Sequence, residues 1–519
     1  MGPETHRAKS GTQCAAGLLT RRALRVCVLS ALGLAFAAAL LLAAGCEVVN
    51  WREMPVLLFS ADNQGVLAAC GCPSNPSGGL AKREALIEAF RRTRPAVLLV
   101  DAGDLMPDKP HPVKEKYVAM AAARGGYDAI ALGDQEFVLG LARLRQLKTE
   151  YKLPFICANV RDASGQTVFP ESVIWTMPNP TTQLKPSRGG SPDPPREKRG
   201  YGLGNGVCAA GPETRRAKLR SSTNPGRRGM PIKIGIFAVV ADRAFGFPAM
   251  EWRTGLTVEP PADAARRQVA LLTQAGCDLI VALAHQEIED SRAMAAAVPG
   301  IDIIVCGHDG RVLPRGEQAG KTLLVSTGES GRIMGALALA PPQEPKGRPQ
   351  VNLTMTELSA QVPDAQPVMD LYWQYVKEAK DKPPPDWNLT PIPPVYDTAE
   401  VCRKCHAPEY DAWAKTKHAR AFESIRKTGR QDDPECILCH TLGYGRKGGF
   451  ASMKDTPAFG RVTCQACHIV AADHGEKKVK APDPRIYINS RLCMSCHGPV
   501  QSPDFDYFTY KPRIIHKPK

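Results

Sequence analysis

Aromatic residues make up only 6% of this 519-residue chain, and no nucleic-acid-binding module accompanies its formal charge of +15. A basic chain invites a polyanionic partner, but charge without a module that grips phosphates or reads bases leaves nucleic acid unsupported. The charge is also badly placed for that role. Residues 1–25 carry five Lys or Arg against one Glu, and 185–228 carry eleven against three acids, so +12 of the +15 sits on two unpatterned segments. Residues 178–229 lack any hydrophobic period and are rich in Pro, Gly, Ser and Arg, which reads as a disordered basic insertion. Its string Gly211-Pro212-Glu213-Thr214-Arg215-Arg216-Ala217-Lys218 nearly repeats Gly2-Pro3-Glu4-Thr5-His6-Arg7-Ala8-Lys9. Two copies do not make a structural repeat, which needs several units to bury a core. A hydrophobic content of 43% suits globular domains, and the length excludes a single core.

What is present begins with an export signal. Arg21, Arg22 and Arg25 precede an apolar run from Val26 to Ala44, and Leu42-Ala43-Ala44-Gly45-Cys46 closes it. That string resembles a bacterial lipobox, which implies cleavage before Cys46 and a lipid on its sulfur. Residues 1–46 are therefore expected to be a lipoprotein-type signal peptide, with the folded protein tethered to a membrane on the periplasmic side. The alternative is an uncleaved transmembrane anchor, since 19 apolar or small residues just suffice to span. The Ala-rich run inserts less well than a Leu-rich one and favours the lipoprotein.

Between about 52 and 380, apolar runs alternate with helical stretches. Val56-Leu57-Leu58-Phe59, Ala96 to Val100, Ile234 to Val239 and Leu279 to Leu283 read as strands, and Ala81 to Arg92 and Ala262 to Ala275 as helices. This is an α/β pattern with a central sheet whose strands are buried on both faces. Ligand residues in such folds sit just past the C-terminal ends of strands. A Pro-rich linker, 381–397, separates this domain from a Cys- and His-rich tail, 398–519.

The tail holds the strongest motif. C-x-x-C-H, the c-type haem attachment signal, occurs as Cys402/Cys405/His406, Cys436/Cys439/His440, Cys464/Cys467/His468 and Cys493/Cys496/His497. Zinc sites and disulfides also use paired cysteines, but not four pairs each followed immediately by His. Four haems are expected, with the eight cysteines as attachment points and His406, His440, His468 and His497 as proximal ligands. Successive ligating His are 34, 28 and 29 residues apart, too few to bury an apolar core per haem, so the haems themselves should supply the core. Three further His, at 418, 474 and 516, are candidate distal ligands. Seven His for four irons leave one iron five-coordinate or bound by another group such as Met453.

Val401-Cys402-Arg403-Lys404-Cys405-His406, Trp413 to Ala419, Pro434 to Thr441 with Gly443 and Gly445, and Ser502-Pro503-Asp504-Phe505-Asp506 together resemble the tetrahaem cytochromes of the c-552/c-554 type. The resemblance implies a mostly α, loop-rich domain, electron carriage through stacked haems, redox partner proteins, His418 as a distal ligand and one open haem.

The N-terminal motifs are Ala61-Asp62-Asn63-Gln64-Gly65, Gly78-Gly79-Leu80-Ala81, Asp101-Ala102-Gly103-Asp104, Gly133-Asp134-Gln135-Glu136-Phe137, Ala284-His285 and Gly307-His308-Asp309-Gly310. They resemble the 5'-nucleotidase branch of the calcineurin-like metallophosphoesterases, which implies an α/β sandwich of mixed sheets flanked by helices and two metals sharing Asp104. The departures fall on the chemistry. One metal would use Asp62 and the positions of Gln64 and Gly310, so two of its ligands are gone. The other would use Asp134, His285 and His308, all capable ligands. The family's catalytic His is Gln135 here, and an amide cannot donate a proton near neutral pH. Read without the family, Asp104, Asp134, His285 and His308 still form one mixed N/O site for Zn, Mn or Fe, against a metal-free, hydrogen-bonded remnant. Cys70-Gly71-Cys72 adds two thiols that could bind metal, react with a sulfur species, pair with other cysteines or be incidental. The branch's C-terminal nucleotide-binding domain is missing, and the cytochrome-like tail stands in its place.

Three functions compete. The first is electron transfer with a non-catalytic N-terminal scaffold. The second is a hydrolase of a phosphate or sulfur ester coupled to the haems, in the manner of the sulfate thiohydrolases. The third is a haem enzyme acting on a small nitrogen compound at an open iron.

Overall fold

The computed structural model describes residues 50–69, 76–108, 111–177, 232–245, 255–342, 348–380, 382, 395–470, 474, 488–498, 502 and 504–516. The predicted signal with Cys46, the thiols Cys70 and Cys72, the basic insertion and most of the Pro-rich linker lie outside the described residues. Among the described residues, no helix is long and apolar enough to cross a membrane.

Apolar runs that read as one central sheet divide into two. The first half of the domain lays down β1 (Val56–Ser60), α1 (Leu80–Thr93), β2 (Val97–Asp101), α2 (Pro112–Gly125), β3 (Ala129–Ala131), the single turn α3 (Asp134–Phe137), α4 (Leu141–Tyr151) and β4 (Phe155–Ile156). The short β5 (Val160–Arg161) and β6 (Ser172–Met177) follow. The second half contains β7 (Ile232–Val240), β8 (Thr257–Val258), α5 (Pro261–Gln274), β9 (Leu279–Gln286), α6 (Ile288–Ala297), β10 (Ile303–His308), β11 (Glu317–Ala319) and β12 (Thr322–Ser326). It closes with β13 (Ile333–Ala340), β14 (Gln350–Glu357) and α7 (Gln366–Ala379). One six-stranded sheet has the order β14-β13-β1-β2-β3-β4 and the other β11-β12-β10-β9-β7-β6. Each has four parallel strands: β1 to β4 in one, and β7, β9, β10 and β12 in the other. Antiparallel strands complete both sheets, with β13 pairing β1 and β6 pairing β7.

The reason for two sheets is visible within β1. Leu57 and Phe59 face the space between the sheets, where they meet Ile234, Ile236, Val281, Leu283 and Val305. Val56 and Leu58 point the opposite way, against the helices on the outer side. Alternate residues of a strand face opposite sides, so a strand covered by a sheet on one side and helices on the other reads as a continuous apolar run. Gly335 on β13 is required there, because a Cβ would lie 2.0 Å from Phe59 Cζ. Helix limits follow local chemistry. In α2 the His111 ring accepts from the Lys114 N–H, Pro112 opens the first turn, and Gly126 ends the helix at φ 63°.

The tail is mostly helical and loop-rich. Its helices are short: α8 (Ala399–Arg403), α9 (Ala407–Ala414), α10 (Ala421–Lys427), α11 (Pro434–His440), α12 (Ser490–Met494) and α13 (Tyr507–Tyr510). One expectation needs correction. Phe422, Ile425, Ile437, Leu442, Tyr444, Phe450 and Phe459 do form an apolar cluster of their own around the second C-x-x-C-H. The turn at Gly443, φ 68°, folds the following segment back over α10 and α11, with Phe450 N–H donating to the Leu442 carbonyl. Residues 51–519 form one compact unit.

Candidate functional site

The N-terminal site stands at the C-terminal ends of strands from both sheets. Asp62 follows β1, Asp104 follows β2 and Asp134 follows β3; His285 and His308 lie at the ends of β9 and β10. Ligand atoms of Asp104, Asp134, His285 and His308 all lie within 4.8 Å of one another. His285 Nε2 is 3.3 Å from Asp104 Oδ1 and 3.2 Å from Asp134 Oδ1, and His308 Nδ1 is 3.4 Å from the same Asp134 oxygen. The Nδ1–H of His285 donates to the Ala102 carbonyl at 3.0 Å, which turns Nε2 toward the carboxylates of the cluster. Gly133 permits the convergence, since a Cβ there would sit 2.1 Å from Asp104 Oδ1 and 2.7 Å from His285 Cε1.

Buried charge shapes this cluster. Asp134 is pushed up by burial, but hydrogen bonds from His285 and His308 outweigh that and hold it well below the usual carboxylate range. Burial pulls His285 down, yet Asp104, Asp134 and Asp62 carry it well above the ordinary imidazole value. The surrounding carboxylates thus favour positive charge at His285. The donor set fits one divalent metal: two imidazoles, two carboxylates, one ring nitrogen already fixed in tautomer.

Asp62 is not part of the converging set. Both its oxygens accept from the His308 N–H, at 2.9 and 3.0 Å, and its nearest approach to His285 Nδ1 is 3.9 Å. Gln64 is 3.4 Å from the Ser330 hydroxyl, and the Gln135 N–H donates to Asp104 Oδ1 at 3.0 Å. Gly310 supplies no donor. The sequence reading missed Glu136, although it lies within a quoted motif. Its buried carboxylate accepts from Gly133, Asp104, Leu105 and Met106 N–H groups at 2.7–3.0 Å, and so shapes the Asp104 loop. Burial and then Asp104 push it up to about 7. An acid two residues after Asp134 in the same motif was the available signal, and only the fold shows that it is buried.

In the tail, each motif folds as a helical turn that presents its His. His406, His468 and His497 N–H groups donate to the carbonyls of Cys402, Cys464 and Cys493 at 2.8–2.9 Å. Three pairs of imidazoles face each other. His406 and His474 have ring centres 6.3 Å apart, His418 and His497 6.1 Å, and His468 and His516 5.7 Å. His440 is different: its Nδ1 donates to the Ala421 carbonyl at 2.8 Å and stands 3.0 Å from the Ser424 hydroxyl. Among the described residues no second imidazole faces it. Met453 is largely exposed, beside Gly460.

Comparison with known proteins divides the chain in the same way. Residues 401–469 match the family profile described as cytochrome c554 and c-prime. The tail is 27% identical over 88 residues to cytochrome c-554 of Nitrosomonas europaea, covering 14% of this chain and 37% of that protein. The N-terminal region is 26% identical over 264 residues to 5'-nucleotidase of Mus musculus, covering 49% of this chain and 37% of that one. Both alignments thus span well under two thirds of the relative's length. Among solved structures, a sulfate thiohydrolase SoxB from Thermus thermophilus aligns with TM-score 0.48 and 16% identity, over 68% of this chain and 64% of that one. The chain therefore joins a segment similar to cytochrome c-554 to a region similar in sequence to nucleotide phosphoesterases.

Proposed function

We propose that this protein is an exported, lipid-anchored c-type cytochrome that carries electrons through four haems between redox partner proteins. Its phosphoesterase-like region holds at most one divalent metal and does not hydrolyse phosphate esters. The observation that carries the electron-transfer reading is the set of three facing imidazole pairs. Two metal–imidazole bonds of about 2 Å each leave ring centres roughly 6 Å apart, and the three pairs lie at 5.7–6.3 Å. His406/His474, His418/His497 and His468/His516 are thus the bis-His pairs, and His440 is the lone ligand of an open haem.

When bound, the haems supply reversible one-electron transfer. The chain's own part is ligation, orientation and exclusion of water. Ala421 fixes the His440 ring through Nδ1 and leaves Nε2 to ligate. The apolar cluster around Phe422, Ile437 and Phe450 shields that side of the tail. In the N-terminal region, Asp104, Asp134, His285 and His308 would hold Zn, Mn or Fe. A two-metal hydrolysis needs a second ion and an acid, and Gln64, Gln135 and Gly310 supply neither.

Expression with a haem-maturation system tests the reading. Four haems' worth of covalent mass and one carbon monoxide bound per reduced chain are expected. Two or fewer haems overturn the cytochrome count, and no bound carbon monoxide overturns the assignment of His440.

A further inference from the structure

The stretch just before the second C-x-x-C-H is fastened to the phosphoesterase-like region at several points. Arg430 donates from Nη2 to the Ala69 carbonyl at 2.7 Å, and its guanidinium lies 4.9 Å from the centre of the Tyr372 ring. The Tyr372 hydroxyl donates to Asp433. Lys380 pairs with Asp432 at 3.0 Å, and Lys114 pairs with Glu435. Asp433 is buried and caps α11, accepting from the Glu435 N–H at 3.0 Å, while its carbonyl accepts from the Cys436 and Ile437 N–H groups. The seam therefore holds the helix that carries Cys436, Cys439 and His440.

The other end of the seam reaches the metal-site loop. Ala69 lies on the stretch 61–69, whose Asp62 accepts from the His308 N–H. Within that segment the Asp62, Gln64 and Gly65 N–H groups donate to the carbonyls of Gly103, Asp104 and Leu105 at 2.8–3.1 Å. Asp62, Gln64, Asp104 and His308 all adopt left-handed backbone conformations, with φ between 50° and 77°. Such conformations are unfavourable for non-glycine residues and persist only where their surroundings over-determine them. A change at the ligand atoms therefore bears on a loop already held under strain, and Arg430 holds that loop at Ala69.

We infer that Arg430 is a positioning residue that couples the two sites: a divalent metal held by Asp104, Asp134, His285 and His308 changes the affinity of the haem at His440 for a small ligand. The path runs through segment 61–69, Arg430 and the Asp433 cap of α11. This rests on the two readings proposed above, a single metal site and an open haem at His440. Coupling between two binding sites is reciprocal, so the ligand at the haem changes metal affinity by the same factor.

The test uses the full holoprotein, reduced, with carbon monoxide and Mn²⁺ as the two probes. Carbon monoxide affinity is measured with and without Mn²⁺, and Mn²⁺ affinity with and without carbon monoxide. A matching change of about fivefold or more, the lower end of ordinary coupling, is expected in both directions. In Arg430→Ala the ratio should fall to within about twofold of unity, with haem content and both stoichiometries unchanged. Tyr372→Phe keeps the ring under Arg430 but removes the donor to Asp433, and should lose at least half of the wild-type ratio. A wild-type protein that binds both probes with a ratio of one overturns the coupling alone. A full ratio in Arg430→Ala and Tyr372→Phe overturns the route. Failure to bind Mn²⁺ or carbon monoxide at all overturns the underlying site reading together with the coupling.

Discussion

Single residues decide which chemistry each site retains. Asp104, Asp134, His285 and His308 were legible in the sequence because each follows an apolar strand run, and strand ends are where such folds place ligands. Asp62 belonged to the same pattern but serves the His308 backbone instead, a distinction only three-dimensional geometry makes. Which imidazole each of His418, His474 and His516 lies against was equally illegible, since His418 stands near His497, 79 positions away, and not near its neighbour His406. His418→Ala should convert one low-spin haem to high-spin, read by electron paramagnetic resonance; an unchanged low-spin fraction breaks the His418/His497 assignment. Asp433 makes a pH prediction. Burial first, and Glu435 second, push its carboxyl above the ordinary range, against the Tyr372 bond and Arg430. A raised folded-state pKa means the folded form binds the proton more tightly. The resulting stability is full below the unfolded value of about 4 and is lost as pH rises through the folded pKa. The melting temperature of wild type minus that of Asp433→Asn should therefore fall as pH rises above about 4. A flat or rising difference contradicts the burial argument.

At the scale of elements, the runs themselves predicted strands and helices to within three residues, the largest gap being at the end of β9. Ala81 to Arg92 became Leu80–Thr93, and Ala262 to Ala275 became Pro261–Gln274. The division into two sheets was not readable from those runs. A strand buried by helices on both faces and one buried by a sheet and helices carry the same continuous apolar signature. Packing between β1 and β13 is the sharper test of the observed pairing. Gly335→Ala would drive a methyl into the Phe59 ring, and overpacking of this kind costs about 1–3 kcal/mol. A lowered melting temperature with unchanged haem content is expected. Normal stability would mean that Phe59 does not lie across β13.

Across the whole molecule, the two regions form one compact unit, and their contacts gather at residues 430–435. The N-terminal site should lack phosphatase activity in this assembled state. Loss of a general acid alone typically costs 10²–10⁴ in rate, and loss of one ion removes half of the charge clamp. With added Mn²⁺ or Zn²⁺, turnover on a nucleotide should stay at background and bound metal should not exceed one per chain beyond haem iron. Turnover of about 1 s⁻¹ or more with two metals would replace this reading with the hydrolase one. The sequence alone determined the C-x-x-C-H motifs and the α/β alternation, because each is written in residue identity and short spacing; that Gln64, Gln135 and Gly310 stand where His is expected was implied by the resemblance. Tertiary structure alone decided the imidazole pairings, the lack of a facing imidazole at His440 among the described residues, the backbone duty of Asp62 and the Arg430 seam. Those depend on contacts between residues tens to hundreds of positions apart, whose meeting is set by packing and leaves no local pattern in the chain.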